Sequence, residues 1–119
     1  MIYLGHADLD IQFSCNKDEK LFNNSKNLQR KFGDIRAKHI RRRLDDLSAA
    51  NTLEEMQKIG RCHELSEDKK GFLSVDLDGP YRLLFKPAHN PIPQKSDGGL
   101  DWSGVTSIMI IKVEDTHGQ

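Results

Sequence analysis

The segment from Phe72 to Lys86 constrains this chain more than any other. Phe72-Leu-Ser-Val-Asp-Leu77 places Leu73, Val75 and Leu77 on one face and Ser74 and Asp76 on the other, the period-two pattern of a half-buried strand. Asp78-Gly79 follows, two residue types that tolerate positive φ, and Pro80 leads into Tyr81-Arg-Leu-Leu-Phe-Lys86. An antiparallel hairpin is predicted, and the rest of the fold has to accommodate a sheet.

Further strands are predicted on both sides of it. Asp10 to Cys15 alternates with Ile11, Phe13 and Cys15 on one face, and Cys62 to Leu65 reads as a short strand. Thr106 to Val113 is apolar on both faces through Ile108, Met109, Ile110, Ile111 and Val113, which suits a central strand. Between the first strand and the others the period is helical. Lys17–Asn24 and Ser25–Phe32 form two short helices, the second ended by Gly33, and Asp34 is placed to cap a third whose apolar stripe is Ala37, Ile40, Leu44 and Leu47. Thr52-Leu-Glu-Glu55 is a capping-box pattern that opens a short helix to about Ile59, stopped by Gly60. Pro87 to Gly104 holds too many prolines and glycines to be an element and reads as a functional or inserted loop. The expectation is one α+β domain over residues 1–119, with N-terminal helices packed on an antiparallel sheet of about four strands.

Composition narrows the function classes. The chain is 36% hydrophobic and 30% charged with a mean hydropathy of -0.65, polar for a compact fold but not the composition of a disordered one. No apolar run approaches the roughly 18 to 20 residues that span a bilayer, and Met1 to Asp10 carries a His and two Asp where a signal peptide is apolar, so a cytoplasmic protein is expected. Cys15 and Cys62 lack any Cys/His ligand spacing, which argues against zinc, and both read as buried or half-buried free thiols. Net charge is zero, yet Lys26 to Arg43 holds eight basic residues against the single acid Asp34. A strongly cationic helix is therefore predicted in a chain that is acidic elsewhere, and phosphate binding depends on such segregation.

The ordered set Arg61-Cys-His-Glu-Leu65, Lys70-Gly71, Leu73-Ser-Val-Asp-Leu77, Pro80-Tyr-Arg-Leu-Leu-Phe85 and Val113-Glu-Asp-Thr-His117 resembles toxins of the HigB branch of the RelE/ParE superfamily, across roughly residues 10 to 117. That resemblance implies a RelE-like microbial ribonuclease-type fold. It also implies a type II toxin–antitoxin module whose toxin, an mRNA endonuclease (mRNA interferase), cuts mRNA in the ribosomal A site and so inhibits translation, without metal or organic cofactor. The implied partners are the ribosome and mRNA, and a cognate helix-turn-helix antitoxin of the HigA type, through which alone operator DNA is reached. No membrane partner is implied. Cleavage of this kind uses the RNA 2′-hydroxyl as nucleophile, so the protein supplies a base, an acid and stabilisation of the phosphorane.

By the same resemblance Arg82, His63 and His117 are the candidate catalytic residues, while Arg61, Lys69, Lys70, Arg41 and Arg42 are candidate RNA contacts by their charge. Each has a plainer reading. Arg82 could support the sheet, His63 could be a structural histidine bonded to a backbone carbonyl, His117 could belong to a frayed tail, and the lysines and helix arginines could be merely solvated. The run Arg41-Arg-Arg43 cannot face one way at about 100° per residue, so at least one arginine should reach the core edge or an acid such as Asp45 or Asp46. His6, His39 and His89 match nothing functional. The chain departs from the family pattern at Ser66 and Glu67, where a basic residue is usual, and at Thr116, where a tyrosine is usual; Asp76 stands where some relatives outside the HigB branch carry an arginine, and facing a cleft it would repel phosphate. The missing tyrosine and Glu67 keep one rival open, a catalytically weakened homologue that acts as a ribosome- or antitoxin-binding module or co-repressor; a ParE-like gyrase inhibitor is a further alternative.

Overall fold

A computed structural model describes residues 8–116. In chain order the elements are β1 (Asp10–Phe13), α1 (Asn16–Phe22), α2 (Ser25–Phe32), α3 (Asp34–Ala49), a 3₁₀ turn at Leu53–Met56, β2 (His63–Glu64), a 3₁₀ turn at Glu67–Lys69, β3 (Leu73–Asp76), β4 (Tyr81–Pro87), a 3₁₀ turn at Trp102–Gly104 and β5 (Ser107–Asp115). The fold is α+β, and the sheet runs β1-β5-β4-β3-β2. It has five strands and is mixed, because β1 pairs parallel with β5 while the other pairs are antiparallel. Alternation along a strand reports its faces but not the direction of its neighbour, so the parallel pair in a sheet expected to be antiparallel throughout has no local signal.

The hairpin forms as expected. Leu73 opposes Phe85, Val75 opposes Leu83 and Asp76 opposes Arg82, and the turn closes with Tyr81 N donating to the Asp78 carbonyl at 3.0 Å. Gly79 alone of the turn pair takes positive φ, at 53°.

Two local expectations change in detail. Gly33 (φ 83°) ends α2 and also precedes α3, so Asp34 becomes the first helical residue, where its charge meets the positive end of the helix dipole without capping it. Glu55 does reach back, but its carboxylate accepts from Asn51 N at 3.0 Å, and Thr52 offers its carbonyl rather than its hydroxyl to Glu55 N. With that bonding the segment is a single 3₁₀ turn, not a helix to Ile59.

The three helices cover one face of the sheet. Ala37, Ile40 and Leu47 of α3 are fully buried with Leu73, Val75, Leu83, Phe85, Ile108 and Ile110 beneath them. Arg43 reaches the core edge, donating from Nε to the Asp76 carbonyl at 2.8 Å and from Nη1 to Asp46 at 3.1 Å, as the arginine run required. Cys62 is buried and its thiol pKa is pushed up to about 12 by desolvation. Cys15, expected inside, is exposed, because β1 ends at Phe13 and Cys15 already serves as the N-cap of α1.

Between Leu84 and Phe85 of β4 the register with β5 shifts: Phe85 pairs with Ile110 but Leu84 pairs with Lys112. Ile111 is thus the extra residue of a β-bulge. Strict alternation from Ile108 and Ile110 would drive Lys112 and Glu114 into the core. The bulge instead puts Val113 opposite Leu83 on the helix side and turns Lys112 and Glu114 to the open face.

Gly60 carries a close approach that no other residue allows. Its φ is 57°, and an added Cβ would stand 2.7 Å from Val75 Cγ2 and 2.8 Å from Arg43 Cζ. Gly60→Ala is expected to destabilise the fold by about 2–3 kcal/mol, combining left-handed backbone strain with overpacking. Urea denaturation would read this as a lower midpoint at unchanged slope.

The loop expected over residues 87–104 is tied down by side-chain hydrogen bonds. Trp102 Nε1 donates to Glu64 Oε2 at 2.9 Å, and His89 Nε2 accepts from Thr106 N and Ser107 N at 3.0 and 3.2 Å, a structural task for a histidine that sequence left unassigned. Among the described residues no helix is long and apolar enough to cross a membrane.

Candidate functional site

The face of the sheet opposite the helices carries the candidate chemistry in two rows set by register. His63, Ser74, Leu84 and Lys112 form one row across β2, β3, β4 and β5, and Asp76, Arg82 and Glu114 form the next. With strands spaced at about 4.8 Å and residues at about 3.4 Å along them, His63 and Arg82 stand roughly 12 Å apart at their backbones. The 3₁₀ turn at Glu67–Lys69 folds toward this face, since Lys69 Nζ reaches Glu114 Oε1 at 2.7 Å.

Glu114 is the centre of the second row. Its Oε2 accepts from Arg82 Nε at 2.7 Å and Nη2 at 2.6 Å, and Lys112 Nζ lies 4.0 Å from its Oε1. The carboxylate is only 8% exposed. Burial works to raise its pKa, but the hydrogen bonds and charges of Lys69 and Arg82 outweigh it and hold Glu114 below the ordinary carboxylate range. A depressed folded-state pKa means that Glu114 contributes stability above its unfolded value, near 4.3, and that this contribution is lost as pH falls through the folded value. The difference in melting temperature between wild type and Glu114→Gln is therefore expected to be largest near neutrality and to shrink below about pH 4, which thermal unfolding across pH 3–7 would measure.

His63 is half-buried, and its ring is oriented by local backbone. Arg61 takes a left-handed conformation, φ 50°, and its carbonyl lies 2.6 Å from His63 Nδ1. A carbonyl only accepts, so Nδ1 carries the hydrogen and the neutral imidazole keeps its lone pair on Nε2. The carbonyl bond anticipated for a structural histidine is thus present, and it leaves Nε2 available as a base.

Arg61 itself is 77% exposed at its side chain and donates to Asp76 Oδ2 at 2.7 Å. The acid that would oppose phosphate is in this way neutralised in place. Ser74 is fully buried in the first row and its hydroxyl has no partner among the described residues.

The remaining candidates are elsewhere. Arg41 lines a hollow of about 650 Å³ between β1 and the helices, together with Glu19 and Asp45, and Arg42 is an exposed residue of the same helix. Both belong to the helix side of the sheet and do not join His63 and Arg82. Lys70 is exposed and borders a second groove of about 320 Å³, lined also by Phe72, Ile92 and Leu100. His117 lies outside the described residues. Among the described residues no group of three or more His, Cys, Asp or Glu side chains could hold a metal ion.

Glu114 and Lys112 were not singled out by sequence. The signal was a charged pair at i, i+2 near the end of an apolar strand, and it became readable only once the bulge at Ile111 had fixed which face the pair occupies.

The open face thus offers an oriented imidazole, a forked guanidinium and two lysines, a set able to bind an anion and to move a proton beside it. Compared with known protein families and with curated proteins, the chain matches none.

Proposed function

We propose that the chain is a cytoplasmic toxin of a type II toxin–antitoxin module, with a RelE-like microbial ribonuclease-type fold, that inhibits translation by cutting mRNA on the ribosome. The observation that carries this reading is that His63 and Arg82, drawn from different strands, share the face opposite the helices with Lys69 and Lys112.

In the reaction, His63 Nε2 takes the proton of a ribose 2′-hydroxyl. The 2′-oxygen forms a bond to the adjacent phosphorus, Arg82 stabilises the charge that develops on the phosphorane, and the bond to the 5′-oxygen breaks. That oxygen leaves with a proton from a general acid, the part we propose for His117. Products are a 2′,3′-cyclic phosphate and a 5′-hydroxyl. The antitoxin, a helix-turn-helix protein, silences the toxin and carries it to operator DNA.

The test is induction without antitoxin, followed by mapping of mRNA 5′ ends. Growth arrest with discrete cuts in translated messages, lost in His63→Ala, supports the enzyme. Arrest with intact messages and an early DNA-damage response points to gyrase instead and sinks it.

A second reading is favoured by one contact. Arg82 is already bonded to Glu114, so the guanidinium is not free for phosphate. A binding module that docks to the ribosome or co-represses with its antitoxin needs no such freedom. Ribosome association without any cut would select this alternative.

A further inference from the structure

Three cations converge on a single internal carboxylate at the open face. Arg82 donates twice to one oxygen of Glu114, Lys69 donates to the other at 2.7 Å, and Lys112 stands 4.0 Å off. We propose that Lys69, Arg82 and Lys112 form a phosphodiester site whose resident occupant is Glu114, so that an RNA strand binds by displacing the protein's own carboxylate. This rests on the reading of the open face as an RNA surface and adds how that surface is kept occupied.

The chemistry of the two anions is matched. A phosphodiester, like a carboxylate, presents two oxygens sharing one negative charge, and a guanidinium fork with an ammonium opposite suits either. The cations also exceed what one carboxylate neutralises, leaving surplus positive charge for a second anion. Access is graded: Lys112 is 58% exposed, Lys69 27% and Arg82 17%, so an incoming phosphate meets Lys112 first, then Lys69, and the arginine last. Lys69 sits on a one-turn segment and is the partner most easily lifted. Asp76, the other acid in the row, is held by Arg61 and does not compete for Arg82.

A purely structural Glu114, fastening the turn at Glu67–Lys69 to the sheet, would give the same contacts but a different response to substitution. The experiment measures anisotropy of a labelled ten-residue RNA with 2′-O-methyl groups, which cannot be cut, on wild type, Glu114→Gln and Glu54→Gln. The last removes one charge at an exposed position remote from this face. Glu114→Gln is expected to bind roughly tenfold more tightly than wild type, with a salt dependence steeper by about one phosphate contact, while Glu54→Gln changes little. Equal affinity for Glu114→Gln and wild type overturns the proposal, as does an equal gain in Glu54→Gln. So does a gain for free inorganic phosphate without one for the oligonucleotide.

If Glu114→Gln does not fold, Glu114→Asp keeps the charge but withdraws it by one methylene. It is then expected to bind about threefold more tightly than wild type, and unchanged affinity again overturns the proposal. Failure of the nuclease reading is separable. Tighter binding in Glu114→Gln with no mRNA cutting by wild type leaves the displaced-carboxylate site standing alone, whereas cutting without tighter binding leaves only the nuclease.

Discussion

Arg82→Lys is expected to slow mRNA cutting roughly 100-fold while leaving the protein folded. The charge is retained, so Glu114 keeps its three cationic neighbours and the buried carboxylate is not stranded. What is lost is the fork: Nε and Nη2 both engage one Glu114 oxygen at 2.7 and 2.6 Å, and an ammonium cannot present two donors in that fixed plane. The same planarity is what holds two oxygens of a phosphorane. Cutting rates on a translated message, set beside thermal melting of the same sample, separate the two roles. A large loss of rate with a small change in melting places Arg82 at the reacting phosphate, and parallel losses make it a sheet support.

Phe85→Ala is expected to have the opposite profile, a loss of about 3–5 kcal/mol in stability. Phe85 is fully buried in the middle of the sheet, between Leu73 on β3 and Ile110 on β5, in one core cluster with Ala37, Ile40 and Leu47 of α3. Truncation leaves a cavity that two strands and a helix cannot all close. In a domain of this size that loss corresponds to a melting temperature lower by roughly 10–25 °C, read directly by calorimetry. The total stability of such domains is about 5–15 kcal/mol, so a considerable share of the margin goes with one side chain.

Much of this fold was legible because its signals are local. The hairpin at Leu73–Pro87, the break at Gly33 and the stripe of α3 each follow from residues within a few positions of one another, and each formed. The parallel pairing of β1 with β5 was not legible, since it joins residues about a hundred positions apart and depends on where three helices return the chain. Cys15 was misplaced for a related reason: alternation extended β1 by two residues, and the start of α1 overrode it.

The candidate site divides in the same way. His63 and Arg82 could be picked out by motif, but that Arg61 would spend its charge on Asp76 and its carbonyl on His63 depends on a left-handed backbone at a residue with no glycine to announce it. Arg41 and Arg42, chosen for charge density, belong to the other side of the sheet. Charge composition counts cations and says nothing of the face they occupy.

The extra residue at Ile111 divides β5 into two stretches whose in–out parity is set separately. Upstream, Ile108 and Ile110 answer to the packing of the helices. Downstream, Lys112 and Glu114 answer only to their ionic neighbours. A gain or loss of one residue at that joint changes the phase between the stretches, and with it whether a carboxylate or a valine meets the oil. The molecule's chemistry is therefore more sensitive to the length of this strand than to the identity of most residues within it.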